Sequence, residues 1–245
     1  MNKKTVKILG VDFINEHFDG MVDLISTKIV EEQKTFIVTA NPEIVMHAHK
    51  DNEYYSIIKE ADYVVPDGYG IILASKLLKQ PLKERVTGFD LTISLLEKAN
   101  RLNWSIYLLG GQAEVNALAT NNITEKYPNI KIAGSHHGFF DLKDPEIVDD
   151  IKNSSPDIIF VALGFPRQEK WIGEHFGEFS KGIFIGVGGS IDVLAGTVKR
   201  APIIWQKLKV EWLYRLIKQP SRWRRMLALP EFLIEVIKLS VRNKD

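Results

Sequence analysis

Short apolar runs of strand length recur along the chain and alternate with longer segments of helical periodicity. The runs are VKILGV, TFIVTA, DYVVP, WSIYLLG, IKIAG, DIIFVALG and GIFIGVGG. Most are continuously apolar, which is typical of strands that are covered on both faces. Segments such as GQAEVNALATNNITEKY and PRQEKWIGEHFGEF place apolar residues three or four positions apart, which predicts amphipathic helices. Residues 68–103 leave room for two helices between strands.

This alternation predicts an α/β fold, with a mostly parallel, Rossmann-like sheet flanked by helices on both faces. The pattern changes after Arg200. One helical stripe there contains Trp205, Leu208, Trp212 and Leu216. Pro230 begins another short amphipathic helix, and no further strand pattern follows. We therefore predict an α/β core in residues 1–198 and a helical appendage in residues 199–245.

The charge distribution separates the same two parts. The whole chain of 245 residues has a net charge of +1. Residues 199–245 contain twelve basic and four acidic residues, so they carry +8 while the rest of the chain carries −7.

The chain has no cysteine, which excludes disulfides and thiolate chemistry. The first residues, MNKKTVKILGVDF, lack the long apolar run of an export signal, so we expect a cytoplasmic protein.

The basic appendage interleaves arginines with aromatic and aliphatic side chains. Its arginines include Arg215, Arg222, Arg224 and Arg225. Such a segment could bind nucleic acid, bind an anionic membrane, or pack as an ordinary helix. The segment contains more aliphatic residues than binding to a nucleic-acid backbone requires. This favours a helix that lies in the lipid interface over a helix that binds nucleic acid. We expect peripheral association with the inner face of the cell membrane and no nucleic-acid partner. Homo-oligomerisation stays open, because the same apolar stripe could pack against another subunit.

Polar residues and glycines directly follow several of the predicted strands. They are Thr39 and Asn41; Asp67; Gly110 and Gly111; Gln168; and Gly188, Gly189 and Asp192. Ligands of open parallel sheets bind outside the carboxyl ends of the strands. We therefore expect these residues to surround one binding cleft.

Each of these signals also has a structural explanation. Asp67 lies in a Pro-Asp-Gly turn, where aspartate is commonly a turn former, and only its place beside other strand ends favours a functional carboxylate. The Gly110–Gly111 turn could hold a phosphate or be a tight connection. GVGGSIDVLAG fails the G-x-G-x-x-G spacing at Ile191, which counts against a dinucleotide enzyme. The chain has no Asp-x-Asp pair and no paired zinc ligands, so we predict no metal site and no cofactor.

Six segments together resemble the WecG/TagA/CpsF family of bacterial glycosyltransferases. They are TANPE, PDGYG, RVTGFD, LLGG, ALGFPRQEKW and GVGGSIDVLAGTVKRAP. The resemblance runs from about Lys7 to about Arg225 and is strongest to the branch of N-acetylmannosaminyltransferases of wall teichoic acid synthesis. It implies inverting transfer of N-acetylmannosamine from its UDP conjugate to the 4-hydroxyl of N-acetylglucosamine on undecaprenyl diphosphate, without a required metal.

The resemblance also assigns site residues in this sequence. Asp67 corresponds to the general base, with Thr39 and Asn41 beside it. Substrate-binding positions fall on Arg85, Gln168, Arg215, Arg222 and Arg225. The chemistry agrees, because a sugar hydroxyl must lose a proton as it attacks, and a departing diphosphate without a metal needs arginines and backbone N–H groups.

Three alternatives remain at this stage. A related donor, such as the UDP conjugate of N-acetylmannosaminuronic acid, differs by only a few pocket contacts. A nucleotide-dependent oxidoreductase shares the parallel sheet with glycine turns. A non-enzymatic protein that binds membranes would turn over no sugar nucleotide.

Overall fold

An eight-stranded sheet forms the centre of the computed structural model, which describes residues 4–220 and 223–242. In chain order the strands are β1 (Thr5–Ile8), β2 (Val11–Ile14), β3 (Thr35–Ala40), β4 (Tyr63–Pro66), β5 (Ser105–Gly110), β6 (Lys131–His136), β7 (Ile158–Ala162) and β8 (Ile183–Gly186). Their order in the sheet is β1-β2-β4-β3-β8-β7-β5-β6. Only β1 and β2 pair antiparallel, and the other neighbours are parallel. The predicted α/β class is confirmed.

Helices cover both faces of this sheet. In chain order, the helices of the described residues are α1 (Phe18–Val30), α2 (Pro42–Lys50), α3 (Asn52–Glu60), α4 (Tyr69–Leu77), α5 (Gly88–Leu102), α6 (Ala113–Lys126), α7 (Pro145–Ser154), α8 (Arg167–His175), α9 (Ser190–Leu194), α10 (Ile203–Lys207), α11 (Glu211–Lys218), α12 (Trp223–Met226) and α13 (Ala228–Arg242). A 3₁₀ turn, Phe176–Glu178, follows α8. The two helices predicted between residues 68 and 103 are α4 and α5.

The continuous apolar character of the strands follows from this double cover. Along β3, Phe36 and Val38 pack into a core shared with α2, α3, α4, α7 and α8. Ile37, between them, points to the opposite core, shared with α1, α5 and α6. Because successive strand residues face opposite sides, both alternating sets must be apolar when both faces are buried.

The first apolar run does not form the single strand that VKILGV predicts. It is divided between β1 and β2, which pair as a hairpin, with Ile8 opposite Val11. Leu9 and Gly10 form the two-residue turn, with φ angles of 47° and 91°. Such a turn matches the twist of the two strands, but a leucine at positive φ gives no sequence signal for it.

The appendage is also divided differently from the prediction. The helical stripe that begins at Trp205 is interrupted between α10 and α11, where Lys209 has a φ of 65°. The last helix, α13, packs on α2 and α4, and it buries Phe232 and Val236 completely in the main core. The division into two domains stays a prediction, with the addition that α13 shares its core with the α/β part. Among the described helices, none is long and apolar enough to cross a membrane.

Candidate active site

A cavity of about 630 Å³ opens at the carboxyl ends of β3, β4 and β8. Asn41 follows β3, Asp67 follows β4 and Gly189 follows β8, and all three line the cavity. The appendage supplies the rest of the wall. Its lining residues include Arg200, Leu208, Lys209, Val210, Glu211, Trp212, Arg215, Arg225, Met226, Leu229 and Leu233. The two parts of the chain therefore enclose one site.

The end of β4 fixes the position of Asp67. Pro66 is the last paired residue of the strand, in register with Ala40 of β3. The backbone N–H of Asp67 then donates to the carbonyl of Ala40 at 2.9 Å. Gly68 follows with a φ of 140°, a conformation that favours glycine, and the chain turns into α4. The Pro-Asp-Gly sequence thus forms a turn that holds the carboxylate at the cavity.

The surroundings of Asp67 favour a basic carboxylate. The residue is half-buried, and burial raises the pKa of its carboxyl above the ordinary aspartate value. Arg215 and Arg85 act in the opposite direction, as does a hydrogen bond from the backbone N–H of Gly88, while Glu211 raises the pKa further. Because burial dominates, Asp67 accepts a proton more readily than an exposed aspartate does.

Three arginines surround the carboxylate of Glu211, the first residue of α11. Arg215 lies one turn further along the helix, at 3.1 Å. Arg85, which precedes α5, lies at 3.6 Å, and the Nε of Arg200 lies at 3.9 Å. The guanidinium of Arg200 also donates to both oxygens of Asp90, at 2.6 and 2.9 Å. Glu211 therefore links α11 to two separate segments of the chain, one before α5 and one at the start of the appendage.

A second ion pair joins the appendage to α2. The guanidinium of Arg225 donates to both carboxylate oxygens of Glu43, at 2.6 and 3.1 Å. It also lies 5.9 Å from the centre of the Phe165 ring, in the β7–α8 loop. A bidentate pair fixes the orientation of both side chains, so it sets how the segment around α12 meets the α/β part.

The structure brings some of the predicted site residues together. Those that line the cavity are Asn41, Asp67, Arg85, Gly189, Arg215 and Arg225. Arg222 lies outside the described residues. Asn41 also caps α2, because its side-chain oxygen accepts from the backbone N–H of Ile44 at 3.1 Å. The chemical roles of these residues stay predictions.

Thr39, Gln168 and Gly188 do not line the cavity that the described residues form. The hydroxyl of Thr39 donates to the carbonyl of Gly186 at 2.8 Å. The side-chain oxygen of Gln168, at the start of α8, accepts from the backbone N–H of Gly188 at 3.1 Å. Both side chains are buried. In this structure they hold the turn after β8 in place, and the predicted catalytic role of Thr39 is not tested by this geometry.

Gly110, Gly111 and Asp192 lie further along the sheet edge, outside the cavity that the described residues form. Gly110 ends β5 so close to β7 that a Cβ atom there would come within 2.3 Å of the carbonyl oxygen of Ala162. A Cβ on Gly111 would come within 3.1 Å of Ile191. The two glycines thus permit tight packing between strands and helices. Asp192 is on α9, and its backbone carbonyl accepts from Thr197 and Val198.

Glu211 and Arg200 line the cavity although the sequence analysis did not single them out. One signal was present, because Glu211 is the only acidic residue in the strongly basic stretch of residues 201–230. An isolated acid among arginines indicates an ion-pair partner.

Within residues 4–220 and 223–242, no three His, Asp or Glu side chains cluster as a metal site would require. The expected metal independence stays a prediction.

Comparison with known proteins identifies the family. A model of the "Glycosyl transferase WecG/TagA/CpsF family" matches residues 6–245. The chain belongs to this family. Relatives from Staphylococcus aureus strains MW2 and NCTC 8325 are 43% identical, and one from strain MRSA252 is 42% identical. Each alignment covers 99% of this chain and 96% of the relative, and each relative is named N-acetylglucosaminyldiphosphoundecaprenol N-acetyl-beta-D-mannosaminyltransferase. The resemblance predicted from the motifs is confirmed.

A second carboxyl group of this WecG/TagA/CpsF glycosyltransferase lies buried beside Gln168. Burial raises the pKa of Glu169 to about 7. Its Oε1 accepts from the side-chain amide of Gln168 at 2.7 Å, whereas its Oε2 has no hydrogen-bond partner in the described part of the chain. The folded protein therefore binds a proton here that the unfolded chain releases at lower pH.

This proton gives a testable pH dependence of stability. Because the folded pKa of Glu169 lies above the unfolded value, its favourable contribution is complete below about pH 4.3 and is lost as the pH rises through 7. Glu169→Gln keeps an oxygen that can accept from Gln168 but carries no charge. We expect its melting temperature, relative to the native chain, to rise between pH 5 and about pH 7 and to level off above that, where Glu169 of the native chain is ionised in both the folded and the unfolded state.

The matched control is Glu53→Gln, on the exposed surface of α3. It should give a difference in melting temperature that does not follow the pH. Thermal unfolding at four pH values measures both variants. A flat difference for Glu169→Gln as well would show that Glu169 is not protonated in the folded protein.

Proposed function

We propose that the chain transfers N-acetylmannosamine from UDP-N-acetylmannosamine to the 4-hydroxyl of N-acetylglucosaminyl-diphospho-undecaprenol, with inversion at the anomeric carbon. This reaction builds the linkage unit of wall teichoic acid. The observation that carries the proposal is one half-buried carboxylate, Asp67, in a cavity that it shares with Arg85 and Arg215. The name that the relatives bear supports the choice of donor and acceptor.

Asp67 is the proposed general base. It removes the proton from the acceptor hydroxyl while that oxygen attacks the anomeric carbon. The bond between the anomeric carbon and the UDP oxygen breaks, and UDP leaves with the electron pair. Because one carboxylate accepts the proton and no second nucleophile is involved, a single displacement inverts the anomeric centre.

Arg85, Arg215 and Arg225 are the proposed partners of the phosphate groups. All three line the cavity, and guanidinium groups match phosphate oxygens in pairs of parallel hydrogen bonds. In a site partly shielded from water, such fixed positive charges stabilise the charge that develops on the departing diphosphate. We propose that no metal ion is needed. Full activity in excess EDTA would support this, and activity that returns only with Mg²⁺ or Mn²⁺ would contradict it.

The membrane surface is the proposed docking partner of the appendage. Of the sixteen large apolar side chains that are exposed in the described residues, ten belong to residues 199–245. Ile203 and Ile204 of α10 are 69% and 64% exposed. Basic residues of the same segment, including Lys207 and Lys218, complement an anionic leaflet. The acceptor is anchored by its lipid, so docking at the inner face of the membrane brings the cavity to it.

Charged substitutions in α10 test this docking. Each apolar side chain that enters the interface contributes by its buried area, so Ile203→Glu with Ile204→Glu should weaken binding to vesicles containing phosphatidylglycerol by about tenfold or more. Sedimentation with vesicles measures the effect. The control is Val30→Glu with Leu118→Glu, which adds the same two charges at positions of α1 and α6 that are 74% and 45% exposed. Equal loss in both proteins would mean that general charge, not the appendage, sets the affinity.

The decisive assay measures UDP release from a panel of UDP-sugars in the presence of a short-chain lipid diphosphate acceptor that carries N-acetylglucosamine. UDP-N-acetylmannosamine should give the highest kcat/KM. Preference for the uronic acid donor would place the chain in another branch of the same family. Failure of every donor, under conditions where the protein is folded and binds UDP, would overturn the proposed reaction.

A further inference from the structure

The charged groups that line the cavity around Asp67 differ in the ion pairs and ring contacts that they make. They are Glu43, Arg85, Arg200, Lys209, Glu211, Arg215 and Arg225. Arg225 pairs with Glu43, Arg200 pairs with Asp90, and Lys209 lies against Tyr69, with its Nζ 4.5 Å from the ring centre. Arg85 and Arg215 form their ion pairs with Glu211. These two arginines are also the ones that act on Asp67.

Glu211 thus competes with Asp67 for the same two arginines. Its side chain is 11% exposed, so its charge is little screened by solvent. A carboxylate in direct contact with two guanidinium groups is stabilised as the anion and is a weak base. In the structure, Arg215 and Arg85 contact the carboxylate of Glu211, at 3.1 and 3.6 Å respectively. The carboxylate of Asp67 therefore stays available to accept a proton.

The two ion pairs differ from a permanent structural pair. The distance of 3.6 Å to Arg85 exceeds that of a charge-assisted hydrogen bond, and the side chain of Arg215 is 49% exposed. By contrast, Arg200 is held by Asp90 at 2.6 Å. A diphosphate carries more negative charge than one carboxylate and offers more oxygens, so it can take Arg85 and Arg215 from Glu211 when it enters the cavity.

We propose that Glu211 is a positioning residue whose carboxylate holds Arg85 and Arg215 off Asp67 and releases them to the diphosphate of the incoming substrate. The substrate part of this inference rests on the proposed function. The effect on Asp67 does not, since it depends only on charges within the chain. Glu211 acts through the two arginines and is not itself assigned contact with the reacting atoms.

Glu211→Gln tests the proposal, because it keeps the shape of the side chain and removes its charge. We expect three results together. The affinity for UDP should rise about threefold to tenfold, since one like charge facing the phosphates is gone. The kcat should change by less than about threefold, because the diphosphate of the bound substrate holds Arg85 and Arg215 in both proteins. The acidic limb of the pH profile of kcat/KM should move to lower pH, since Glu211 no longer raises the pKa of Asp67.

The control is Glu231→Gln in α13, which also removes an ion pair between the appendage and α2, to Lys50 at 2.6 Å, but lies outside the cavity lining. It should leave UDP affinity, kcat and the pH profile unchanged. Glu211→Asp, which retains the charge, should keep the acidic limb near its native position. If Glu211→Gln bound UDP more weakly and the acidic limb of its pH profile stayed at the native pH, the ion pairs of Glu211 would be only structural. This result would overturn the proposal.

A titration that needs no substrate separates this inference from the proposed function. The ¹³C carboxyl resonance of Asp67, assigned with Asp67→Asn, should titrate at lower pH in Glu211→Gln than in the native chain. If the native chain releases no UDP from any donor, the proposed function fails while this titration still decides the role of Glu211. Glu211→Met offers a second uncharged variant of similar length. Failure of both uncharged variants to fold would show that the carboxylate holds the fold itself and would overturn the positioning role.

Discussion

Asp67→Asn is expected to lower kcat by about 10²–10⁴-fold while changing UDP affinity by less than about threefold. The first number is the usual contribution of a general base. The second follows from the position of Asp67, which lies at the end of β4 and interacts with Arg85 and Arg215 without forming an ion pair that holds them. The amide has the shape of the carboxylate but cannot accept the proton of the sugar hydroxyl. Steady-state UDP release and calorimetric UDP binding measure the two quantities.

The matched control is Asp23→Asn, on the exposed surface of α1, which removes an ion pair with Lys98 at 2.7 Å. It should retain native kcat. An Asp67→Asn enzyme with near-native kcat would remove Asp67 from the role of base and leave Glu43 and Glu211 as the other carboxylates of the cavity. Loss of UDP binding together with kcat would instead assign Asp67 to the donor site.

Phe232→Ala should lower the free energy of unfolding by about 3–5 kcal/mol, the usual cost of removing a fully buried phenylalanine side chain. Phe232 is 0% exposed and packs in the main core with α2 and α4, although it belongs to the segment that the charge pattern separates from the α/β part. The cost arises from lost contacts and from the cavity that is left. Urea unfolding followed by circular dichroism measures it.

Phe139→Ala makes the same replacement at a position that is 69% exposed. It should change the free energy of unfolding by less than about 0.5 kcal/mol. If Phe232→Ala were equally mild, α13 would not be part of the core in solution. A separate early transition would then indicate that the appendage unfolds independently of the α/β part.

The sheet and the position of Asp67 could be predicted from the sequence, because both depend on local patterns. A continuous apolar run followed by Pro-Asp-Gly indicates a buried strand that ends in a turn, and β4 has this structure. The β1–β2 hairpin could not be predicted in the same way. Its turn lies within an unbroken apolar run, and Leu9 takes a φ of 47° without the glycine or asparagine that usually marks such a position.

The arginine cluster around Glu211 could not be predicted from local sequence patterns either, but for a different reason. Its members come from three places in the chain, Arg85, Arg200 and residues 211–215, and only the folded structure brings them together. The sequence predicted arginines at the site but gave no means of pairing them. The burial of Phe232 was missed similarly, because an amphipathic stripe shows that a helix has an apolar face and does not show what covers it.

The packing of α13 has a practical consequence for obtaining this enzyme free of detergent. A chain shortened before residue 228 would uncover the apolar surfaces of α2 and α4 that Phe232 and Val236 now cover, and it should aggregate. Polar replacements on the outward face, at Ile234, Ile237 and Val241, leave that contact intact. Replacing the exposed apolar residues of α13 with polar ones is therefore a better way to obtain enzyme that does not aggregate than deleting the helix.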